Sequence, residues 1–325
     1  MPSLQETAQF LGVPMDALRD ELRRDPALRL RRGSAGRGAR RVPVDTVRRL
    51  LANRGQAFTR RVVTIGIEKG GVGKSFLTTH VAAWLAARGC RCLLVDLDPQ
   101  ACATNLLLPG DADYDALLTV LEVYATPDLR FADAVTRTTV EGLDLVACKG
   151  KARRLHRELA RADPTGLLRD RMAGLDAYDL ILFDVPPTFG DLITSAYLTS
   201  DLVILPTLPD IWSLESIDLT LADIRDACDE FGASAPDCRV LLNRQAPARS
   251  ATRDAESELA ENYADLLLPF PIRESAAVQN AINEGGSVFD ASVARAPAEV
   301  KDALARLAQF VCPLRSAATA PAGRE

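Results

Sequence analysis

The chain has 325 residues, of which 47% are hydrophobic and 26% charged, and its formal net charge is −5. This length suits one large α/β domain with a small appendage, or two ordinary domains, and it is enough to bury a sizeable core. No apolar run reaches the roughly 18 residues of a membrane span and no signal peptide opens the chain, so the sequence predicts a cytoplasmic protein without a membrane partner.

Charge is distributed unevenly along the chain. Residues 1–61 contain 14 arginines, no lysine and six acidic residues, a net charge of +8, so the remainder carries −13. This asymmetry predicts a basic module that meets an anionic partner, joined to an acidic globular body. A solvated arginine-rich leader without a partner is the alternative interpretation.

The first 58 residues are predicted to form a small, basic DNA-binding module. Ala8 lies three residues before the Leu11-Gly12-Val13 turn and a second helical stretch follows, a spacing that suits a helix-turn-helix. Residues 29–43 place glycines among arginines, as in a flexible arm or a β-hairpin wing that contacts phosphates. Residues 44–55 predict a short helix whose aliphatic side is formed by Val44, Val47, Leu50 and Leu51.

From residue 59 onward, short apolar strands alternate with helical stretches. The predicted strands are RVVTIGI, RCLLVDLD, YDLILFDVP, DLVILPT and CRVLLN. Fully apolar strands separated by helices are typical of a parallel sheet that is covered on both faces. The predicted fold class is therefore α/β, with a doubly wound, mostly parallel sheet over residues 59–314, a core-packing helix near its end and a disordered tail at 315–325.

The seven cysteines are predicted to be reduced, mostly buried residues. Cys90 and Cys92 are too few for a structural zinc site, and the two histidines, His80 and His156, lie in no ligand spacing. We therefore expect no metal bound by cysteine.

The stretch EKGGVGKS, residues 68–75, lies between the first predicted strand and a helix, which is the setting of a phosphate-binding loop. Its glycines allow backbone N–H groups to turn toward phosphate oxygens, at the N terminus of the following helix. These glycines are Gly70, Gly71 and Gly73. Lys74 is expected to neutralise the β and γ phosphates and the Ser75 hydroxyl to bind Mg²⁺. The standard loop has glycine in place of Glu68 and gives no role to the additional Lys69.

Three aspartates follow apolar strands, where a doubly wound sheet builds its site. Asp184 is suited to hold water ligands of Mg²⁺, and Asp98 to position a water for attack on the γ phosphate. Asp96, two residues before Asp98, supports either role. A single aspartate at such a position is equally well explained as a turn former, but the three together with the loop indicate a nucleotide site.

Four longer motifs occur in the order KGGVGKS, LLVDLDPQACATNL, ILFDVPPTFGDLITSAYLTSDLVILPT and VLLNR. In this order and spacing they resemble the ParA family of partition ATPases, which has the deviant Walker A loop of the wider group that includes MinD. The resemblance extends from about Arg61 to Val311. It implies a weak ATPase that uses ATP and Mg²⁺, forms an ATP-dependent homodimer, binds DNA without sequence preference, associates with the nucleoid and is stimulated by a ParB-like centromere-binding protein.

The resemblance also assigns roles to residues. It implies that Lys69 reaches across the dimer to the phosphates held by the partner subunit, so that Lys69, Lys74 and Asp98 form the catalytic set. The implied metal set is Ser75, Asp96 and Asp184, and the implied DNA contacts are Arg249 and Arg273. The implied nucleotide contacts are Glu68, Lys69, Gly70, Gly71, Val72, Gly73, Lys74, Ser75, Phe76, Asn243, which would bind adenine, and Arg244. Phe76 departs from the family's usual threonine, which leaves its backbone N–H as the expected contact.

Two alternatives remain open for the biological role. The N-terminal module resembles the operator-binding extension of larger plasmid partition ATPases, which repress their own operon, so a transcription-regulating or conjugation-accessory ATPase is the stronger alternative. A membrane-cycling positioning protein of the MinD type would need a basic amphipathic C-terminal helix. Residues 297–311 lack that character and are expected to pack on the core.

Overall fold

The computed structural model describes residues 1–32, 40–148, 168–188, 190–246, 250–283 and 296–316. Arg249, which is predicted to contact DNA, lies outside the described residues, as do His156 and residues 317–325 of the predicted tail.

The described residues form helices and strands in an alternating order. The α-helices are α1 (Leu4–Leu11), α2 (Met15–Arg24), α3 (Val44–Asn53), α4 (Lys74–Ala86), α5 (Cys102–Leu107), α6 (Val120–Ala125), α7 (Asp191–Thr199), α8 (Ile211–Phe231), α9 (Ser250–Asn262), α10 (Ala276–Asn283) and α11 (Ala298–Val311). The strands are β1 (Arg31–Arg32), β2 (Arg40–Arg41), β3 (Gln56–Phe58), β4 (Arg61–Ile65), β5 (Cys92–Asp96), β6 (Val135–Arg137), β7 (Leu143–Val146), β8 (Leu180–Asp184), β9 (Leu202–Thr207), β10 (Asp237–Leu242) and β11 (Leu314–Ser316). Short 3₁₀ helices lie at Phe131–Ala134 and Arg169–Met172.

Seven strands form the main sheet of the described residues, in the order β10-β9-β4-β8-β5-β7-β6. Neighbouring strands are parallel, except that β6 pairs antiparallel with β7 at one edge. The chain first moves from β4 outward to β5 and β7, then returns to place β8 between β4 and β5. The predicted doubly wound, mostly parallel α/β fold is confirmed. The antiparallel β6–β7 pair at its edge was not predicted.

Alternate residues of each buried strand face opposite sides of the sheet, because side chains on a strand have a period of two. On one side, Leu180 and Leu182 of β8 share a core with residues of α4 and α11. On the other side, Ile181 and Phe183 share a second core with residues of α7 and α8. Helices therefore cover both faces, which explains why the central strands read as continuous apolar runs rather than as alternating ones.

Helix α11 presents the apolar face that its sequence predicts. This face packs against α4, and its buried residues include Val300, Leu304, Leu307 and Val311. Burying one such aliphatic side chain stabilises a fold by about 1.5–3 kcal/mol. The helix is thus held to the body chiefly by these contacts.

The N-terminal module consists of α1, a turn at Gly12, α2, the paired strands β1 and β2, and α3. Helix α1 begins with a capping box, in which Ser3 Oγ accepts from Glu6 N (3.2 Å) and Glu6 Oε2 accepts from Ser3 N (2.7 Å). It ends at Gly12, whose φ of +66° is left-handed. Strands β1 and β2 pair antiparallel, with Arg31 opposite Arg41. DNA binding by this module stays a prediction.

The module is continuous with the core of the body. The apolar face predicted for α3 is buried, and Leu50 and Leu51 belong to the same core as Trp84 of α4. Arg48 of α3 forms a bidentate ion pair with Asp179, with N···O distances of 2.5 and 3.2 Å. The module therefore packs directly on the side of the sheet that α4 and α11 cover.

A separate two-stranded sheet joins distant parts of the chain. Strand β3 pairs antiparallel with β11, so that Gln56 lies opposite Ser316. The prediction that residues 315–325 are disordered is therefore wrong for Arg315 and Ser316. The reason is that these two residues pair with Ala57 and Gln56 of β3, far earlier in the chain, a long-range pairing that local composition does not reveal.

The cysteines are free thiols, and most are buried as predicted. Cys102 is exposed and Cys238 is half-buried, so the prediction of core positions does not hold for these two. No group of three or more His, Cys, Asp or Glu side chains among the described residues is arranged to hold a metal ion. Within the same residues, no helix is long and apolar enough to cross a membrane.

Candidate nucleotide site

The glycine loop and the three predicted aspartates meet at the carboxyl edge of the sheet, where β8 lies between β4 and β5. The glycine loop follows β4, while Asp96 ends β5 and Asp184 ends β8. Asp96 and Asp184 are register partners on adjacent strands. This is the position, beside the point where the strand order reverses, at which doubly wound sheets bind ligands.

The loop depends on glycine at two positions. Gly71 and Gly73 have φ values of +75° and +90°, in the left-handed region that other residues rarely adopt. A Cβ on Gly73 would also lie 2.7 Å from Asn243 Nδ2. Val72 between them is fully buried and anchors the loop. The loop is therefore held in one shape, and Lys74 begins α4 directly after it.

The N terminus of α4 leaves backbone donors available beside the loop. The first intrahelical bond joins Leu77 N to Gly73 O, at 2.9 Å. The N–H groups of the preceding helical residues have no acceptor one turn earlier and carry the positive end of the helix dipole. Phe76 packs its side chain on the core and against His80, with ring centroids 4.1 Å apart. Its side chain thus belongs to the core, which leaves its backbone N–H as the group able to serve a ligand.

Lys74 is a buried cation held by carbonyl oxygens. It is 7% exposed, and its Nζ donates to Lys69 O at 2.7 Å and to Ile67 O at 3.4 Å. Burial lowers the pKa of Lys74, while the carboxylates of Asp184 and Asp98 oppose that shift. Carbonyl oxygens carry only partial charge, so an anion would be the stronger partner for this ammonium.

Asp184 is a buried carboxyl group with an unused oxygen. It is fully buried, Thr78 Oγ1 lies 3.5 Å from its Oδ1, and its Oδ2 has no hydrogen-bond partner. Burial and the charge of Asp96 raise the pKa of Asp184 well above its ordinary range, although a hydrogen bond from Ser75 opposes the shift. Such a group is stabilised by a proton or a cation.

Asp96 uses both of its oxygens within the protein. Oδ1 accepts from Asp98 N at 3.1 Å, and Oδ2 accepts from Thr104 N at 2.9 Å and from Thr104 Oγ1 at 2.7 Å. Burial raises the pKa of Asp96 to about 6. These contacts fix the segment after β5, in which Asp98 is 7% exposed and its Oδ1 accepts from Gln100 N at 2.8 Å. Of the predicted metal set, Asp184 has an oxygen without a hydrogen-bond partner, Ser75 hydrogen-bonds to Asp184, and Asp96 positions the segment after β5.

The additional lysine of the loop is bound within its own chain. Lys69 Nζ donates to Asp210 Oδ1 at 2.7 Å and to Ser213 Oγ at 2.8 Å. Asp210 also caps α8 by accepting from Ser213 N at 2.9 Å. Neither Asp210 nor Ser213 was predicted to belong to the site. Asp210 is the N-cap residue of α8, and aspartate is a preferred residue at that position, which was the available signal.

The predicted adenine contact lies against the loop. Asn243 is 3% exposed and its Nδ2 donates to Val72 O at 2.8 Å, which ties the end of β10 to the loop. Arg244 has a φ of +53° and forms an ion pair with Glu274 at 3.2 Å. Contact of these two residues with a nucleotide base stays a prediction.

Two predicted residues are directed elsewhere. Burial and the neighbouring carboxyl of Asp223 on α8 raise the pKa of Glu68 to about 8. Glu68 lines a cavity together with residues of α7 and α8, including Asp223. Arg273 is half exposed and pairs with Glu299 at the start of α11, at 2.8 Å. The structure does not bring Arg273 to the nucleotide site, and its contact with DNA stays a prediction.

Comparison with known proteins places the chain in a family. A family model described as an AAA domain matches residues 60–233. The cell division protein PomZ of Myxococcus xanthus is 27% identical over 291 residues, which cover 88% of this chain and 86% of PomZ. The sporulation initiation inhibitor protein Soj of Bacillus subtilis is 33% identical over 167 residues, which cover 51% of this chain and 65% of Soj.

Solved structures give the same fold. The ATP complex of a Cyanothece McdA variant superposes with a TM-score of 0.67 at 19% identity, covering 78% of this chain and 96% of McdA. The sheet, the loop at its carboxyl edge and the matching domain define a P-loop NTPase. The chain belongs to the AAA domain family and, within it, to the ParA family of partition ATPases.

Proposed function

We propose that this protein is a weak, partner-stimulated ATPase of the partition type. In this proposal, ATP binding produces a homodimer that holds DNA without sequence preference, at the nucleoid in the cytoplasm. Hydrolysis, stimulated by a ParB-like centromere-binding protein, releases the DNA. The observation that carries the proposal concerns two buried side chains beside one glycine loop. The ammonium of Lys74 is bound by carbonyl oxygens, and one carboxyl oxygen of Asp184 has no hydrogen-bond partner.

The residues present fit ATP and Mg²⁺. The loop and the first turn of α4 offer backbone donors to phosphate oxygens. Lys74 Nζ would donate to phosphate oxygens in place of the two carbonyl oxygens that it now contacts. Ser75 Oγ and Asp184 would hold the metal, directly or through its water ligands. When bound, Mg²⁺ would supply positive charge that neutralises phosphate oxygens.

Asp98 is the residue proposed to orient the attacking water. It follows the strand that Asp96 ends, and the bonds from Thr104 and from its own backbone N–H to Asp96 fix its position. One Asp98 oxygen is used by Gln100 N, which leaves the other for a water molecule. Positioning of this kind is the main contribution that a protein makes to phosphoryl transfer.

Lys69 is proposed to make ATP binding and dimerisation one event. In the single chain its ammonium is satisfied by Asp210 and Ser213. A phosphate held by a partner subunit would be the competing acceptor, with more negative charge than one carboxylate. Lys69 is therefore expected to exchange Asp210 for a phosphate only when two chains face each other.

The test is a mixing experiment with two inactive variants. Lys69→Ala and Asp98→Ala are each expected to bind ATP and to lose most hydrolysis. In their equimolar mixture some activity should return, because each mixed dimer has one site in which Lys69, Lys74 and Asp98 are all present. A partner that carries both substitutions is the control and should restore nothing. If mixed dimers are shown to form and no ATP hydrolysis returns, the proposed cross-subunit role of Lys69 is wrong.

DNA binding without sequence preference is proposed to involve Arg273 on the body. Affinity should fall steeply with salt, because each phosphate contact releases counterions. Arg273→Glu should weaken binding of any duplex about equally and lower the salt slope by about one for each phosphate that is no longer bound. Arg137→Glu is the matched control, since Arg137 lies on β6 at the opposite edge of the sheet. Equal losses in both variants would argue against a defined DNA surface.

A second candidate function is recognition of an operator through the N-terminal module, with repression of the protein's own operon. It is favoured by the helix-turn-helix order of α1 and α2 and by the exposed arginines on α2. Arg24→Glu should reduce the ratio of operator affinity to random-duplex affinity while ATP hydrolysis is unchanged. Footprinting and turnover assays on the full chain measure the two quantities. A ratio near one for the unaltered protein would exclude this function.

A further inference from the structure

Lys69 is fastened to the start of α8 by two side chains. Its Nζ donates to Asp210 Oδ1 at 2.7 Å and to Ser213 Oγ at 2.8 Å. Both acceptors are held by backbone donors, since Asp210 Oδ1 also accepts from Ser213 N at 2.9 Å and Ser213 Oγ accepts from Leu208 N at 3.3 Å. We call the contacts of Lys69 Nζ with these two residues the α8 latch. The latch gives the ammonium one defined position beside the helix start.

The backbone of Lys69 is held by the other lysine of the loop. Lys74 Nζ donates to Lys69 O at 2.7 Å, so the carbonyl and the ammonium of Lys69 are both engaged. One residue earlier, Glu68 N lies 3.5 Å from Thr220 Oγ1, farther along α8. The start of the loop is thus tied to α4 through Lys74 and to α8 through the latch.

The ion pair of the latch is partly open to solvent. The side chain of Lys69 is 21% exposed and that of Asp210 is 37% exposed. A pair with this exposure is screened by water and typically changes an equilibrium by a factor of about 1.4 to 5. Such a contact is strong enough to bias the position of Lys69 and weak enough for a phosphate, which carries more charge, to replace it.

We propose that Asp210 competes within its own chain for Lys69 and thereby sets the ATP concentration at which two chains associate. The inference rests on the proposed cross-subunit role of Lys69. Each chain must open its latch before its ammonium can bind a phosphate in the other chain, so the free energy of both latches opposes association. Asp210 is a positioning residue in this scheme, because it acts on Lys69 and needs no contact with nucleotide.

Lys74 links the latch to occupancy of the chain's own nucleotide site. When Lys74 Nζ donates to phosphate oxygens, Lys69 O loses the hydrogen bond that it now accepts. The backbone of Lys69 is then held less firmly, and its side chain leaves Asp210 more readily. A chain that has bound nucleotide is therefore the one prepared to complete the site of its partner.

The first measurement is association of the full chain in the presence of a non-hydrolysable ATP analogue and Mg²⁺, followed by light scattering. Asp210→Asn removes the charge of the latch and keeps the cap of α8, because asparagine and aspartate are about equally good N-cap residues. The dissociation constant of the dimer should fall about 2- to 30-fold, since two latches are weakened at once. Asp229→Asn is the matched control, because Asp229 is an exposed residue of the same helix. It should leave the constant unchanged.

The second measurement follows the latch itself in the chain without nucleotide. The rate at which an amine-specific acetylating reagent modifies each lysine, read by peptide mass spectrometry, reports how available its side chain is. Labelling of Lys69 should be several-fold faster in Asp210→Asn than in the unaltered chain, with Lys301 of α11 as the internal reference. In the unaltered chain, ADP at protein concentrations that keep it monomeric should also speed the labelling of Lys69. Absence of that ADP effect would overturn the link through Lys74.

Lys69→Ala distinguishes failure of the latch from failure of the proposed function. If Lys69→Ala associates as well as the unaltered chain, the cross-subunit role is wrong and the latch proposal falls with it. If Lys69→Ala fails to associate while Asp210→Asn keeps the dissociation constant of the unaltered chain, only the latch proposal is wrong. Unchanged labelling of Lys69 in Asp210→Asn, or an equal change of the dissociation constant in Asp229→Asn, would overturn it as well.

Discussion

Charged side chains are paired differently in two regions of the molecule. These regions are the junction between α3 and the body, and the carboxyl edge of the sheet. At the junction, Arg48 pairs with Asp179 through two hydrogen bonds, and nearby Arg54 pairs with Glu21 at 2.7 Å. At the carboxyl edge, Lys74 is held by carbonyl oxygens and one oxygen of Asp184 has no partner. Arg48 and Asp179 thus form an ion pair at the junction, whereas Lys74 and Asp184 at the edge are not joined by one.

We infer that the paired charges at the junction stabilise the fold and that the charges at the edge serve to bind a ligand. Substitution of a residue of the first kind should lower the stability of the fold and leave ligand affinity unchanged. Substitution of a residue of the second kind should lower ligand affinity and leave stability unchanged or higher, since an unpaired buried charge opposes folding. Substitutions at residues of both kinds test this separation.

Lys74→Ala should abolish ATP binding at ordinary concentrations. Its ammonium would make at least two charge-assisted hydrogen bonds to phosphate oxygens, worth about 3–6 kcal/mol together. The melting temperature without nucleotide should stay the same or rise. Equilibrium binding of a fluorescent ATP analogue and thermal unfolding measure the two quantities. Lys301→Ala on α11 is the control, and a destabilised Lys74→Ala chain would break the distinction.

Leu304→Ala should destabilise the whole chain by about 2–5 kcal/mol, through the reduced burial and the cavity that remains. Leu304 is fully buried in the core that also contains residues of α1, α2 and α3. The N-terminal module should therefore unfold in the same transition as the body. Urea unfolding followed by two probes tests this, with exposed Arg306→Ala as the control. Separate transitions would show that the shared core does not couple the two parts.

Acid should weaken the fold through His80, a residue of α4 on the α11 side. Burial lowers the pKa of His80 to about 4, below its unfolded value near 6.5. The unfolded chain therefore binds the proton first, and the contribution present above pH 6.5 is lost as the pH falls toward 4. The loss is about 3 kcal/mol. His80→Gln should flatten this part of the curve of unfolding free energy against pH, and an unchanged slope would contradict the assignment.

Arg48→Ala should have the smallest effect, about 1–2 kcal/mol, because the pair with Asp179 is partly exposed and screened by solvent. Asp179 raises the pKa of Arg48 through that hydrogen bond. ATP affinity should be unchanged, in contrast to Lys74→Ala. Arg49→Ala removes a neighbouring arginine from the same helix and is the control. Loss of ATP affinity in Arg48→Ala would mean that the junction also contributes to nucleotide binding.

Much of the fold could be predicted because its signals are local. Apolar strands such as β5 and β8 are buried on both faces and appear as continuous runs, and the glycine loop directly before α4 is a dense motif. The aspartates at the strand ends follow from the same signals, since parallel strands place their carboxyl ends together.

The features that could not be predicted depend on long-range contacts between short or polar segments. Strands β3 and β11 have three residues each, too few for a periodic pattern, and they pair across most of the chain. The partner of Lys69 is Asp210, 141 positions later. The side chain of Asn243 is similarly far from Val72 in sequence and contacts it only after the sheet has formed. Pairings of this kind are set by tertiary structure and not by local propensity.

The pairing of β3 with β11 limits how the protein can be divided. Thr59 N donates to Pro313 O at 2.9 Å, just beyond the strand pair, and Phe58 is buried beneath it. A recombinant fragment that starts at Thr59 would leave β11 as an open edge and uncover the apolar surface that Phe58 and α3 occupy. Open edges and apolar patches favour self-association. Fragments intended to isolate the ATPase should therefore retain Gln56–Phe58, and a fusion partner attached after Ser316 would emerge next to the N-terminal module.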